Sequence, residues 1–129
     1  MLEELRARPA DEPWMDSVRH VLRIANEGLM AQDPDMIRMR AHLAVTVPAV
    51  RARMVESMSE TGRMLRQALA ERSGLDPDGL EVRVCAMSLI GGLMETSLYW
   101  AENDFKGDLS EHLNHALDVL EHGLPTKKP

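Results

Sequence analysis

Apolar residues recur at helical spacing in five stretches of the chain, with prolines and glycines standing between them. Trp14, Val18, Val21, Leu22, Ala25 and Leu29 fall at i, i+4, i+7, i+8, i+11 and i+15, one side of a helix. Asp11-Glu12-Pro13 ahead of them reads as an acidic cap with proline in the first turn. Asp33-Pro34-Asp35 restarts the pattern, and Met36, Ile37, Leu43, Ala44 and Val47 carry a short second helix. Pro48 opens a third, lined by Val50, Met54, Met58, Thr61, Leu65 and Leu69 until Ser73-Gly74 closes it. Asp76-Pro77 caps a long fourth helix, about residues 77–103. Asp108 with Glu111 three residues on forms a capping-box pattern. It leads a fifth helix through Leu109, Leu113, Ala116, Leu117, Leu120 and Leu124, ended by Gly123 and Pro125. Residues 1–8, with Leu2 and Leu5 on one side, read as the frayed end of a helix that Pro9 stops. No stretch alternates with period two. The pattern predicts an all-α antiparallel bundle of about five helices joined by short connections.

The fourth helix is apolar on two sides. Leu80, Val84, Met87, Gly91, Met94 and Leu98 share one side, and Val82, Ala86, Leu89, Leu93 and Trp100 fall nearly opposite. A helix of this kind has to be covered on both sides. A strip of small residues, Cys85, Ser88, Gly92 and Thr96, runs between the two faces and permits close approach of another backbone. So short a chain has barely enough helices to do the covering. A second copy of the chain is the economical partner, and a central place in its own bundle is the plainer alternative.

Composition narrows the class. The chain has 129 residues, 44% of them hydrophobic and 28% charged, which suits one folded domain. The single cysteine excludes an internal disulfide framework and a multi-cysteine zinc site. No apolar run is long enough to span a membrane and the acidic start is not a signal peptide, so the chain reads as cytoplasmic. The net charge is −6, a poor balance for binding nucleic acid. That charge is uneven: the four basic and eight acidic residues of 1–35 are followed by seven basic and three acidic over 36–72, then two and ten over 73–126. The middle third is thus an arginine-bearing segment. Ten methionines against four aromatics suit a core that repacks around a variable guest.

No catalytic constellation stands out. Cys85 has no histidine near it in sequence, and Gly91-Gly92 belong to no phosphate-binding loop. His112, His115 and His122 share a stripe with Val119 but lack completing ligands, so no metal and no cofactor is expected. The chain reads as a non-enzyme.

The order of segments resembles the C-terminal domain of TetR-family transcription regulators. The resemblance rests on LEELRARPADEP at the start, on Thr46-Val47-Pro48-Ala49-Val50-Arg51-Ala52-Arg53, on Leu89-Ile90-Gly91-Gly92-Leu93 through Trp100, and on Asp108 to Leu124. It is closest to the subset described as sensing acyl-CoA-like ligands. It implies an effector-sensing and dimerising domain of a regulator, a repressor in the first instance. Residues 1–8 would end the helix from an N-terminal helix-turn-helix domain that is missing here, residues 9–125 would form the sensor, and 126–129 a tail. Because Met1 begins inside what looks like a continuing helix, the chain reads as a fragment, and DNA would be met only through the missing domain. No membrane partner is implied.

Carried over by position, the resemblance implies an elongated apolar pocket between the first and fourth helices. Its lining would be Val21, Leu22, Ala25, Leu43, Met54, Met58, Thr61, Met87, Gly91, Met94 and Leu98, with Gly91 opening room opposite Met58. A dimer seam of the last two helices would contain Val82, Cys85, Ser88, Leu89, Gly92, Leu93, Thr96, Trp100, His112, His115 and Val119. Glu95 and His42 lie at the margins of apolar faces. Arg38, Arg40, Arg51 and Arg53 flank one helix junction, where they would meet the phosphates of an anionic ligand or pair with acidic segments. The rival from another class is a helical adaptor that binds a partner protein and no small molecule; its interior would be close-packed.

Overall fold

A computed structural model describes residues 2–126, the side chain of Leu2 excepted. The expectations for Leu2 and for the tail lysines, Lys127 and Lys128, lie outside the described residues. Six helices follow in order: α1 (Leu2–Ala7), α2 (Trp14–Gln32), α3 (Pro34–Thr46), α4 (Pro48–Ser73), α5 (Leu80–Glu102) and α6 (Leu109–His122). The described residues contain no strand.

Local chemistry explains most boundaries. Asp33 caps α3, its carboxylate accepting from the Met36 amide at 3.0 Å, with Pro34 in the first turn. Pro48 opens α4, and Val47 serves as the last cap of α3 and the first of α4. Gly74 ends α4 at φ +73, a left-handed conformation that glycine enters without a Cβ penalty. Asp108 caps α6 by accepting from the Ser110 amide at 3.2 Å.

Two expected caps turn out differently. Asp76-Pro77 does not start α5. The Asp76 carboxylate accepts from the Asp78 amide and its carbonyl from the Gly79 amide, closing a turn, so α5 begins at Leu80. At α2 no side chain caps the helix. Glu12 instead accepts from the buried Ser17 hydroxyl at 2.8 Å and receives Arg8 in two parallel bonds of 2.8 and 2.7 Å.

Those bonds hold the Glu12 carboxyl at about 2, with Arg8 the larger cause and Ser17 next. A lowered carboxyl value stabilises the fold above the ordinary value of 4.5, and that contribution is lost as the pH falls through about 2. The melting-temperature gap between wild type and Glu12→Gln is therefore expected to be widest above about pH 4.5 and to close toward pH 2. A gap that is constant across that range would contradict the assignment.

α5 is the central helix, packed on α3, α4 and α6, while α2 bridges α3 and α6 and α1 rests on α4 and α2. The core gathers Met15, Val18 and Val21 of α2, Ala68 and Leu69 of α4, Val82, Ala86 and Leu89 of α5 and Leu117 of α6. Trp14 and Leu29, placed on the inward stripe by spacing, are exposed, and Met15 and Ser17 are buried instead. α2 enters the bundle rotated, so that the Ser17 hydroxyl, already bonded to Glu12, goes inside.

Candidate functional site

The apolar voids of the bundle differ sharply in size. Between α1, α2, α4 and α5 lies a wholly apolar cavity of about 40 Å³, touched by Val21, Leu22 and Thr61 and closed by Leu65, Leu89, Ile90 and Leu93. It is little more than one water molecule's share of liquid volume. Where an elongated pocket is expected between the first and fourth main helices, the described side chains leave this small space. α1 contributes Leu5 to this space, and Leu89 and Leu93 turn inward to fill it.

A cleft of about 460 Å³ opens instead where α3, α4 and α5 meet the start of α6. This is within the range of small-molecule sites. Ala41 and Ala44 of α3 supply small side chains where longer ones would fill the space. Met54 and Met58 of α4 supply flexible apolar walls, Trp100 of α5 and Leu109 of α6 close the inner end, and Ser57 and Ser97 add hydroxyls. Arg40 and Arg53 stand on its sides.

Among the four arginines of this junction, two are occupied. Arg38 pairs with Asp35 at 3.6 Å, and Arg51 donates from Nε to the Ala44 carbonyl at 3.1 Å, tying α3 to α4. Arg40 and Arg53 make no hydrogen bond or ion pair among the described residues, and both are exposed. Two free guanidinium groups beside an apolar wall suit an amphiphile with an anionic head. Among the described residues that line the cleft, the Ser57 and Ser97 hydroxyls have no histidine or carboxylate with them.

Trp100 is positioned by the turn that follows it. Its indole Nε1 donates to the Gly107 carbonyl at 3.2 Å, and its ring meets Phe105 edge-on at 5.0 Å. Asp104 and Phe105 take φ of +56 and +58, and the Phe105 amide bonds back to the Trp100 carbonyl at 2.8 Å. Gly107 follows at φ +81, where an added Cβ would lie 2.7 Å from the His112 ring. The turn needs glycine for its backbone and for that contact.

The residues expected to line one pocket are thus separated. Met54 and Met58 line the cleft, and Val21, Leu22 and Thr61 touch the small cavity. Leu98 is buried in neither lining, Ala25, Gly91 and Met94 are half-buried outside both, and Leu43 and Met87 are exposed. A Cβ built on Gly91 meets nothing within 4 Å, so open space lies beside it. Ala41, Ala44, Trp100 and Leu109 were not expected in a pocket. The sequence signal for them is Ala41 and Ala44 one helical turn apart beside Arg40.

The expected seam divides too. Gly92, Thr96, His112, His115 and Val119 do share an outward groove between α5 and α6, with Glu95, Tyr99 and Leu120, and Ser88 is exposed nearby. Val82, Leu89 and Trp100 are buried inside the chain's own bundle, Leu93 lines the small cavity, and half-buried Cys85 packs on the core. Burial pushes the Cys85 thiol up, away from reactivity. The close approach at Gly92 is made within the chain, where its Cβ would stand 3.2 Å from Leu120 of α6. Conversely, Leu80, Val84 and Met87, from the side assigned to the pocket, are 73%, 55% and 48% exposed.

A larger groove of about 580 Å³ runs between α2 and α6, but charged residues of both signs line it. Arg19 spans it, bonding Asp118 at 2.6 Å as well as the side chain and carbonyl of Asn114. Among the described residues no group of three or more metal-ligating side chains assembles, and no helix is long and apolar enough to cross a membrane.

A family model described as the MftR C-terminal domain matches residues 12–125, nearly the whole chain. No curated protein matches it.

Proposed function

Starting from the fact that the chain belongs to the MftR C-terminal domain family of TetR-type regulators, we propose that its effector site is the cleft between α3, α4 and α5. The effector is an amphiphile with an apolar chain and an anionic head, of which a long-chain acyl-coenzyme A is the type. The observation that carries this reading is the pair of unpartnered guanidiniums, Arg40 and Arg53, beside Met54, Met58 and Trp100. The apolar chain displaces water from the methionine wall, and the head takes charge-assisted bonds from the arginines.

Three helices border the cleft, so a ligand there favours the packing of α3, α4 and α5 that fits it. A ligand shifts such an equilibrium only as far as its affinity differs between the two packings. α1 rests on α4 and carries the shift toward a DNA-reading domain. Loss of operator binding on effector binding, as in a repressor, is the expected sense. The chain itself carries no basic recognition helix.

The test is thermal melting with palmitoyl-coenzyme A, with free coenzyme A and with methyl palmitate. At a hundredfold excess over Kd a ligand of the folded state adds about 2.7 kcal/mol, roughly 8–15 °C for a domain of this size. The acyl-coenzyme A is expected to give that rise and the neutral ester little of it. No rise with any of the three would sink the effector reading and favour the adaptor. An equal rise with the ester would remove the arginines from it.

The second part of the reading is self-association through the outward side of α5 and α6. Leu80, Val84 and Met87 leave a continuous apolar stripe on the exposed side of α5, with Tyr99, Leu120 and Leu124 also exposed. A second copy covers this stripe in a symmetric contact. Val84→Asp with Met87→Asp is expected to give a monomer in sedimentation at micromolar concentration, where wild type runs as a dimer. A monomeric wild type would refute it.

A further inference from the structure

We propose that Arg72 is a latch that fixes α1 to the end of α4, and that α1 leaves the bundle as a unit when the latch opens. The inference goes beyond the effector reading and takes from it only that α1 carries the output.

α1 packs on α4 and on α2. Among its described side chains Leu5 enters the core, 4% exposed. The segment that leaves the C-terminal end of α1 presents the carbonyls of Arg8, Pro9 and Glu12. Arg72, near the end of α4, reaches across this end. Its Nη1 donates to the Arg8 carbonyl at 3.4 Å, and its Nη2 to the carbonyls of Pro9 at 3.0 Å and Glu12 at 2.9 Å. A planar guanidinium with five donors can serve several carbonyls at once, and its charge suits the negative end of a helix.

The Glu12 carboxylate would be the natural partner for Arg72, but it is already taken by Arg8 and Ser17. Arg72 is left with neutral carbonyls. Bonds from a charged donor to neutral carbonyls are weaker than to a carboxylate, so the attachment can open without separating an ion pair. Arg8 and Glu12 meanwhile keep the segment between α1 and α2 closed on itself, and the Ser17 hydroxyl holds that segment to the start of α2. Among the described side chains Arg6 of α1 also meets Glu71 at 2.9 Å, a solvent-exposed pair of the kind that contributes little.

The other end of α4 is the cleft wall at Met54 and Met58. α4 has 26 residues and so is about 39 Å long. One continuous helix thereby joins the cleft at one end to the latch at the other. Among the described side chains the core takes Leu5 from α1 and its other members from α2, α4, α5 and α6, so the bundle persists when α1 lifts away.

Hydrogen exchange on the 129-residue chain without ligand tests this. Arg72→Met keeps an apolar stem and removes the fork. It is expected to speed exchange of the amides in residues 6–8 by about tenfold or more while the centre of α5 changes by less than about threefold. Arg6→Met is expected to leave both regions within about threefold. Arg72→Lys keeps the charge without the fork and is expected to speed α1 as methionine does. Unchanged exchange in α1 for Arg72→Met overturns the latch. So does equal acceleration in α1 and α5, which would make Arg72 a general prop, and so does full protection with lysine, which would leave charge alone as the cause. Since no ligand is used, failure here leaves the effector reading standing, and failure of the melting test leaves the latch standing.

Discussion

Trp100→Ala is expected to lower the unfolding free energy by about 3–5 kcal/mol, the range for emptying a large aromatic site in a packed core. Trp100 is 2% exposed, and three separate interactions end on it. The indole bonds the Gly107 carbonyl, the ring edge supports Phe105 in its positive-φ turn, and the side chain closes the inner end of the cleft. Alanine removes the apolar area and leaves the Gly107 carbonyl without that donor. Phe105 then loses its support at φ +58, a backbone position that costs a bulky residue energy. Chemical denaturation of the variant measures the loss. A cost below about 1 kcal/mol would mean that the turn between α5 and α6 is held by something other than Trp100.

The second large effect is on binding. Arg40→Glu combined with Arg53→Glu is expected to weaken palmitoyl-coenzyme A by a hundredfold or more. Each charged hydrogen bond contributes about 1.5–3 kcal/mol, and about 1.4 kcal/mol is a factor of ten. Reversal adds repulsion to the lost attraction. Both side chains are exposed and make no bond within the described protein, so melting of the unliganded variant is expected to stay close to wild type. Arg38→Glu with Arg51→Glu is the contrast. It breaks the pair with Asp35 and the bond to the Ala44 carbonyl, and is expected to affect stability first. Unchanged binding in the Arg40 and Arg53 variant, by calorimetric titration, would move the effector out of this cleft.

The extent to which the site is legible in the sequence varies along the chain. The arginine-bearing junction around Val47-Pro48 is visible in charge order alone, and so are Met54 and Met58 on the inner side of the third main helix. Which of the arginines is free is not visible. Arg38 and Arg40 lie two residues apart, as do Arg51 and Arg53, and in each pair the folded chain occupies one and leaves the other. A helix turns about 200° over two residues, so each pair points to two different surroundings. Ala41 and Ala44 carry no chemistry in the sequence, yet their small size leaves the cleft open. Arg72 is equally silent, because its acceptors are the main-chain carbonyls of residues 60 to 64 positions away.

What the sequence by itself determined is the number and order of the helices and most of their limits. Those depend on neighbours within a few residues: Pro48 at a first turn, Asp33 and Asp108 as caps, Gly74 at a left-handed end. The two apolar sides of α5 were also written in the spacing. Only the tertiary structure decided which side goes inside. Periodicity states which residues share a side and is blind to rotation of the whole helix by half a turn. α2 and α4 made the choice by filling the space beside Val82, Ala86 and Leu89 with Val18, Val21, Ala68 and Leu69. The stripe of Leu80, Val84 and Met87 was thereby turned to the outside, and the space left at the other end of α5, beside two alanines of α3, became the cleft.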